Sequence, residues 1–376
     1  MNLGLQVGFL EMTLGQGIMI LVGLFFITLA IVKEWEPLEL LPIGAGMILA
    51  NLPLTGLGVW PEADQPMGTA GFLGILLKFG LYQYMVLPQL IFFCIGALTD
   101  FGPLIANPKA FLLGAAAQFG IYVAFLGAVA YGFSIPEACS IGIIGGADGP
   151  TTIYTTGRLA PDIMGITATA AYSYMAMVAV IQPPIIKLLT SKSERVEQMK
   201  PMLRSVSRKE RIFFSIFTPI LIILIVPKSA PLVGLLFLGN LFRESGVVER
   251  LTKTAQNEFV NIITILLMLG VGASMPAEKV MEPSTLVVLA LGLSAFGFGT
   301  ASGVLLGKLM SKLSKEPFNA MLGAAGVSAV PMAARVVHHM GQEENKKNYL
   351  LMHAMGPNAA GVIGSAVAAG YFLGLF

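Results

Sequence analysis

One aspartate stands where a charge is costly. Asp148 lies in GGADGPTT and is the only charged residue between Glu137 and Arg158. The glycines and Pro150 around it interrupt a helix and free backbone carbonyls, and Thr151 and Thr152 add hydroxyls. A carboxylate, carbonyls and hydroxyls are hard oxygen ligands, the kind a small alkali cation needs in place of its water. In a soluble protein the same letters would read as a helix cap at a tight turn, so the surroundings must decide. A second stretch rich in Gly and Ala, FNAMLGAAGVSAVPMAARVV, offers Asn319 and Ser328 as oxygen donors. It also carries Arg335, a guanidinium that needs either a partner at membrane depth or a place at the rim to snorkel. HAMGPNAAGVIGSA breaks at Gly356 and Pro357 and sets Asn358 beside freed backbone. AYSYMAM holds Tyr172, Ser173 and Tyr174. A tyrosine facing the broken region can ligate a cation or relay a proton, although most buried tyrosines only pack with the hydroxyl satisfied. His338 and His339 are adjacent and cannot share a helix face, so they make no convincing metal site with His353. No HExxH, Walker or GxGxxG motif occurs in a fitting context, so ATP is not expected to drive this chain directly.

The elements that hold these residues follow from composition. Of 376 residues, 55% are hydrophobic and 12% charged, against about 25% charged in a soluble domain. The deficit means that most of the chain faces lipid or other buried helices. About 20 apolar residues cross a bilayer, and candidate spans run over roughly 15–32, 38–54, 85–106, 109–132, 161–188, 212–227, 230–242, 258–275, 284–309 and 348–374. The stretch 67–84 is ambiguous because of Lys78. Residues 136–158 and 317–340 read poorly as straight helices and better as re-entrant hairpins, since irregular backbone is tolerated in a membrane only where it lines a cavity or is covered by protein. Cys94 and Cys139 lie in apolar stretches without a spacing signal, and are read as packing residues. The first residues lack a basic n-region and a cleavage site, so a removable signal peptide is not expected. A net charge of +2 argues no nucleic-acid partner.

The most basic segment, within 191–211, is expected to be a cytoplasmic loop. Counting outward from it, Arg243, Arg250, Lys253, Lys308, Lys312, Lys315, Lys346 and Lys347 fall inside if 317–340 enters and leaves on one side. The loop WPEADQPMG then lies outside. Two halves also align. With one constant offset Pro136 matches Pro317, Gly142 matches Gly323, Gly145 matches Gly326 and Pro150 matches Pro331; further upstream ILANL (48–52) resembles LGNL (238–241). The expected fold is an all-α polytopic membrane protein of about 10–11 transmembrane helices in two inverted repeats, 1–190 with hairpin 136–158 and 212–376 with hairpin 317–340.

These residues resemble the β subunits of the sodium-translocating biotin-dependent decarboxylases that act on oxaloacetate, methylmalonyl-CoA or glutaconyl-CoA. The resemblance covers essentially the whole chain and is carried by GGADGPT and the spaced set Asn319, Gly323, Ser328 and Arg335. It implies that Asp148, Tyr174, Asn319, Ser328, Arg335 and Asn358 take part in sodium binding and coupling. Asp148, Asn319 and Asn358 are expected to bind one Na+ directly, with Tyr174 and Ser328 forming a second site or the proton route. Arg335 is expected to face either the carboxylate of carboxybiotin or Asp148. The resemblance further implies that carboxybiotin is supplied in trans. The implied partners are a carboxyltransferase α subunit, a biotin carrier subunit and a small single-span membrane subunit. The complex is expected in the inner membrane, as a homo-oligomer that exports Na+ and takes up a proton. The short chain tilts the parent complex towards an acyl-CoA decarboxylase. A stand-alone sodium/proton antiporter or sodium/carboxylate symporter would use the same midplane aspartate without any partner.

Overall fold

A computed structural model describes residues 7–61, 70–199, 204–314, 317–329 and 331–376, with residue 279 as backbone only. Most of WPEADQPMG, the first residues of the 67–84 stretch, part of the basic loop and Lys315 lie outside the described residues. Every regular element among those described is helical. The helices are α1 (Leu14–Val32), α2 (Pro37–Asn51), α3 (Phe72–Gln83), α4 (Val86–Leu98), α5 (Ala110–Tyr131), α6 (Ile135–Gly146), α7 (Gly149–Leu159), α8 (Pro161–Ala176) and α9 (Val178–Leu189). They continue as α10 (Arg208–Ile225), α11 (Ala230–Ser245), α12 (Glu249–Ala273) and α13 (Pro283–Leu313). A 3₁₀ helix over Ala320–Gly326, α14 (Met332–Glu344) and α15 (Leu351–Gly374) complete the chain. Helix starts are written locally. The pairs Thr13/Gln16 and Ser207/Glu210 form reciprocal capping boxes ahead of α1 and α10, and Glu137 accepts from the Ser134 N–H ahead of α6 at 2.9 Å.

Among the described residues four helices, α1, α5, α12 and α13, are long and apolar enough to cross a membrane, and up to six if the bent pairs α3–α4 and α8–α9 each count as one. The sequence expectation of about ten to eleven is larger for a physical reason. Several expected spans are interrupted or diluted. α2 has only 15 residues, α3 and α4 diverge by 70° around Met85 at φ 51, and α15 is made less apolar by its Gly, Pro and Asn. Lys78, which makes the stretch 67–84 ambiguous as a span, sits in a π-helical stretch of α3 and donates to the Pro61 carbonyl.

Two helix pairs bring distant parts of the chain together, backbone against backbone: α2 with α12, and α4 with α11. A methyl group on Gly272 would lie 2.0 Å from the Ile43 carbonyl oxygen, and one on Gly96 would lie 1.8 Å from that of Leu236. Only glycine permits such approach, which is how helices gain contact where lipid offers no hydrophobic drive. Each pair also carries one buried asparagine. Asn51 Nδ2 donates to Met275 O at 3.1 Å, just past the end of α12, and Asn240 Nδ2 donates to Thr99 O at 2.8 Å, just past the end of α4. Asn51 and Asn240 are the residues matched by aligning ILANL with LGNL. Both satisfy a carbonyl that a helix terminus would otherwise leave orphaned.

Gly96→Val is expected to destabilise the protein by about 3 kcal/mol through overpacking against backbone that cannot retreat, read as a lower thermal midpoint in detergent. Gly58→Val, where a methyl group meets nothing within 4 Å, should leave the midpoint unchanged.

Candidate functional site

The site is built on two short helices that meet at a break. α6 is 8 α-helical residues continued by 4 in a 3₁₀ turn, and α7 is 11 residues. Each is at most about 20 Å long at 1.5–2.0 Å per residue, against a hydrocarbon core of about 30 Å. They meet at Ala147, which takes a left-handed φ of +53 although it carries a side chain. Such strain persists only where the surroundings over-determine the backbone, and it collects at functional sites. Asp148 follows in extended conformation as the N-cap of α7.

Asp148 is buried, 5% exposed. One carboxylate oxygen accepts from the Thr151 N–H at 3.1 Å, and the other accepts from the Ser365 hydroxyl of α15 at 2.6 Å. The short second bond is charge-assisted. The Thr151 hydroxyl leans on the same carboxylate without reaching a well-formed hydrogen bond. The cap arrangement read as the bland alternative is therefore present, and with it a second partner that a cap does not require.

The second break is brought against the first. Ser328 donates both its N–H and its hydroxyl to the Gly146 carbonyl at the end of α6. The 3₁₀ helix ends at Gly326, and Asn358 Nδ2 of α15 donates to the carbonyls of Ala325 at 3.1 Å and Val327 at 2.9 Å. The carbonyl ends of two interrupted helices thus converge beside Asp148, and carbonyl ends carry the negative pole of a helix. Pro357 ahead of Asn358 loosens α15 at the same level. Asn358 is 0% exposed, and its Oδ1 has no hydrogen-bond partner among the described residues.

Not every expected residue comes to this place. Asn319 uses both ends of its amide elsewhere. Its nitrogen donates to the carbonyls of Arg195 at 3.0 Å and Glu197 at 2.8 Å, and its oxygen accepts from Met321 N–H. It caps the 3₁₀ helix at the end away from Ser328, roughly 14 Å along seven residues of 2.0 Å rise, and ties it to the basic loop. Tyr174 donates its hydroxyl to Leu289 O and lays its ring on Gly292 of α13. Tyr172 is the tyrosine that faces the break. A methyl group on Gly149 would lie 2.3 Å from its ring carbon Cζ, and its hydroxyl is buried without a hydrogen-bond partner among the described residues. Tyr172 also stands within electrostatic reach of both Asp148 and Glu39. Arg335 is exposed, one turn into α14, with Glu36 in electrostatic reach. The hydrogen-bond partners of Asp148 are Thr151 and Ser365 rather than Arg335.

Sequence reasoning passed over Ser365, Glu39 and Gln118. Ser365 lies seven residues after Asn358, two turns along one face of α15, a spacing that was visible. Glu39 is a carboxylate at the start of an expected apolar span, and its Oε2 is buried without a hydrogen-bond partner among the described residues.

The family described as the Na+-transporting oxaloacetate decarboxylase beta subunit matches residues 15–376. The chain is 55% identical to the methylmalonyl-CoA decarboxylase subunit beta of Propionigenium modestum, over 98% of this chain and 97% of that protein. It is 53% identical to the glutaconyl-CoA decarboxylase subunit beta of Acidaminococcus fermentans (98% and 95% covered) and 47% identical to an oxaloacetate decarboxylase beta chain of Salmonella typhimurium (97% and 96% covered).

Asn358→Leu should lower stability by about 3 kcal/mol, because two buried carbonyls lose their donor at once. The thermal midpoint of the purified protein measures this.

Proposed function

This chain belongs to the family of Na+-transporting oxaloacetate decarboxylase beta subunits, and on that premise we propose that it decarboxylates carboxybiotin delivered by a partner subunit and couples the reaction to Na+ export with proton uptake. One observation carries the reading. A buried carboxylate, Asp148, lies between the carbonyl ends of two interrupted helices, with neutral oxygens of Asn358 and Thr151 that have no hydrogen-bond partner among the described residues. A buried charge of this kind is costly in a membrane and is retained on ion or proton pathways. An ion that sheds its water needs several hard oxygens at once, and here a single negative charge is supplemented by dipoles. In this reading Na+ displaces or shares the Ser365 hydroxyl on Asp148, and Asn358 and Thr151 turn their oxygens to it. Ser328 holds the two breaks together so that these ligands arrive as one set. Asn319 acts differently from the direct ligand first expected. It couples the second hairpin to the loop 195–197.

In the proposed reaction the bond between the biotin ring nitrogen and the carboxyl carbon breaks, carbon dioxide leaves and the nitrogen takes a proton. Arg335, exposed on α14, suits the incoming carboxylate, because a guanidinium pairs with a carboxylate through two parallel hydrogen bonds. Tyr172, with Glu39 beyond it, lines the proton route that Tyr174 was first expected to serve. Two inverted halves, each with a re-entrant hairpin, would expose the site alternately to the two sides. A carboxyltransferase α subunit, a biotin carrier and a small single-span subunit complete the complex in the inner membrane, and the chain assembles as a homo-oligomer. The higher identity to the two acyl-CoA relatives favours an acyl-CoA decarboxylase as the parent complex. A biotinylated protein should co-purify with the tagged chain; a chain that travels alone and still moves Na+ would be a stand-alone transporter.

Asp148→Asn should abolish Na+-dependent decarboxylation by the purified complex while the protein still assembles. Normal turnover with normal Na+ dependence would remove Asp148 from its role. Na+ should raise the thermal midpoint of the wild-type complex by linkage of binding to the folded state, K+ at equal ionic strength should do less, and Asp148→Asn should lose the difference.

A further inference from the structure

Gln118 occupies an unusual place for a polar side chain. It is the ninth of the 22 residues of α5, which puts it near the middle of a membrane span, and it is only 7% exposed. The helix is locally irregular there, with Gln118 closing its N-terminal part and opening its C-terminal part. The amide nitrogen donates to Gly114 O on its own helix and to Gly361 O on α15, both at 3.2 Å. Those two bonds determine which way the amide faces, since only the nitrogen can serve two carbonyls. The oxygen is therefore turned to the opposite side. It has no hydrogen-bond partner among the described residues.

That side is the break at Gly146. A methyl group on Gly146 would lie 3.2 Å from Ser365 Cβ and 3.4 Å from Gln118 Oε1. Gly146 is two residues from Asp148 and holds Ser328 through its carbonyl, and Ser365 holds the Asp148 carboxylate. The Gln118 oxygen is thus a buried, unpaired hard ligand, aimed at the centre where the two hairpins and α15 meet. Such an acceptor in an apolar span is unfavourable unless it is used, and a cation is one group that can use it.

We propose that Gln118 supplies a coordinating oxygen to the transported cation from the side opposite Asp148 and thereby sets the preference for Na+ over Li+. The inference rests on the Asp148 cluster being the sodium site and names a ligand from a third element, α5, outside both hairpins. A neutral oxygen suits this position. One carboxylate already balances one monovalent charge, and further ligands must add field strength without a second negative charge, which would favour a divalent ion. Gln118 also lines an apolar cavity of about 410 Å³ together with Tyr122 and Tyr371. Truncation to alanine would enlarge that cavity, so the test uses side chains of similar bulk.

The experiment titrates Na+ and Li+ on the purified complex, reading both decarboxylation and thermal midpoint, for wild type, Gln118→Met and Gln118→Asn. Methionine keeps the volume and loses the oxygen; asparagine keeps the amide and withdraws its oxygen by one methylene. Gln118→Met should raise half-saturating Na+ by about tenfold or more, the range lost when a metal site loses a supporting group, with turnover at saturating Na+ within about threefold of wild type. Gln118→Asn should fall between and change the Na+/Li+ ratio. If Gln118 only ties α5 to α15, both variants will unfold at lower temperature with an unchanged Na+ midpoint, and the proposal is overturned. Should Gln118→Met fail to assemble, the ratio measured with Gln118→Asn decides alone, and an unaltered ratio overturns the proposal. A wild type that lacks any Na+ dependence would instead overturn the sodium reading of the Asp148 cluster.

Discussion

The structure depends on keeping one carboxylate dry. Asp148 is 5% exposed in a chain with few charges, and a bilayer interior offers it no water. Its negative charge must be met by what the protein brings, here a backbone N–H from its own helix and a serine hydroxyl from the last one. Both are neutral donors. Among the described residues no cationic side chain hydrogen-bonds to it, so its partners are dipoles rather than a fixed positive charge. Had Arg335 been its partner, the site would have been closed to any other cation. The exposed position of Arg335 separates the place suited to an anion from the place suited to a cation.

Much of the fold brings separate segments of the chain to that carboxylate. Interrupted helices are needed because an unbroken one buries all its carbonyls in its own hydrogen bonds, leaving none to face an ion. The breaks at Ala147 and after Gly326 free those carbonyls, and Ser328 and Asn358 hold them in register. Around this centre α2 packs on α12 and α4 on α11 through glycines and the buried pair Asn51 and Asn240. These contacts are backbone to backbone and allow little slippage, which makes them suited to a frame against which a site of softer, loop-built geometry is held.

The two halves contribute unequally. The first hairpin provides the charge, and the second provides carbonyls and the hydroxyl that clasps the first. The cluster is incomplete in either part of the chain alone. Position 148 holds Asp, whereas its match at the same offset, 329, holds Ala. The sequence match therefore carries no second carboxylate, and two buried carboxylates side by side would repel so that one would take up a proton.

The amino-acid sequence by itself determined the class of the protein, its helical content and the two interrupted regions, and it singled out Asp148 as an isolated charge. Composition, glycine and proline placement and an isolated charge are local quantities, and they survive without coordinates. Asp148, Ser328 and Asn358 were legible because each sits beside a helix breaker. What the tertiary structure alone decided is which side chains share a centre. Asn319 and Tyr174 carry the right atoms but spend them on the basic loop and on α13, whereas Ser365, Tyr172 and Gln118 lie in smoothly apolar sequence and are turned inward by packing. A side chain's chemistry is written in its residue type, but the direction in which it points is set by the helix rotation that buries the largest apolar face, and that depends on every neighbour at once.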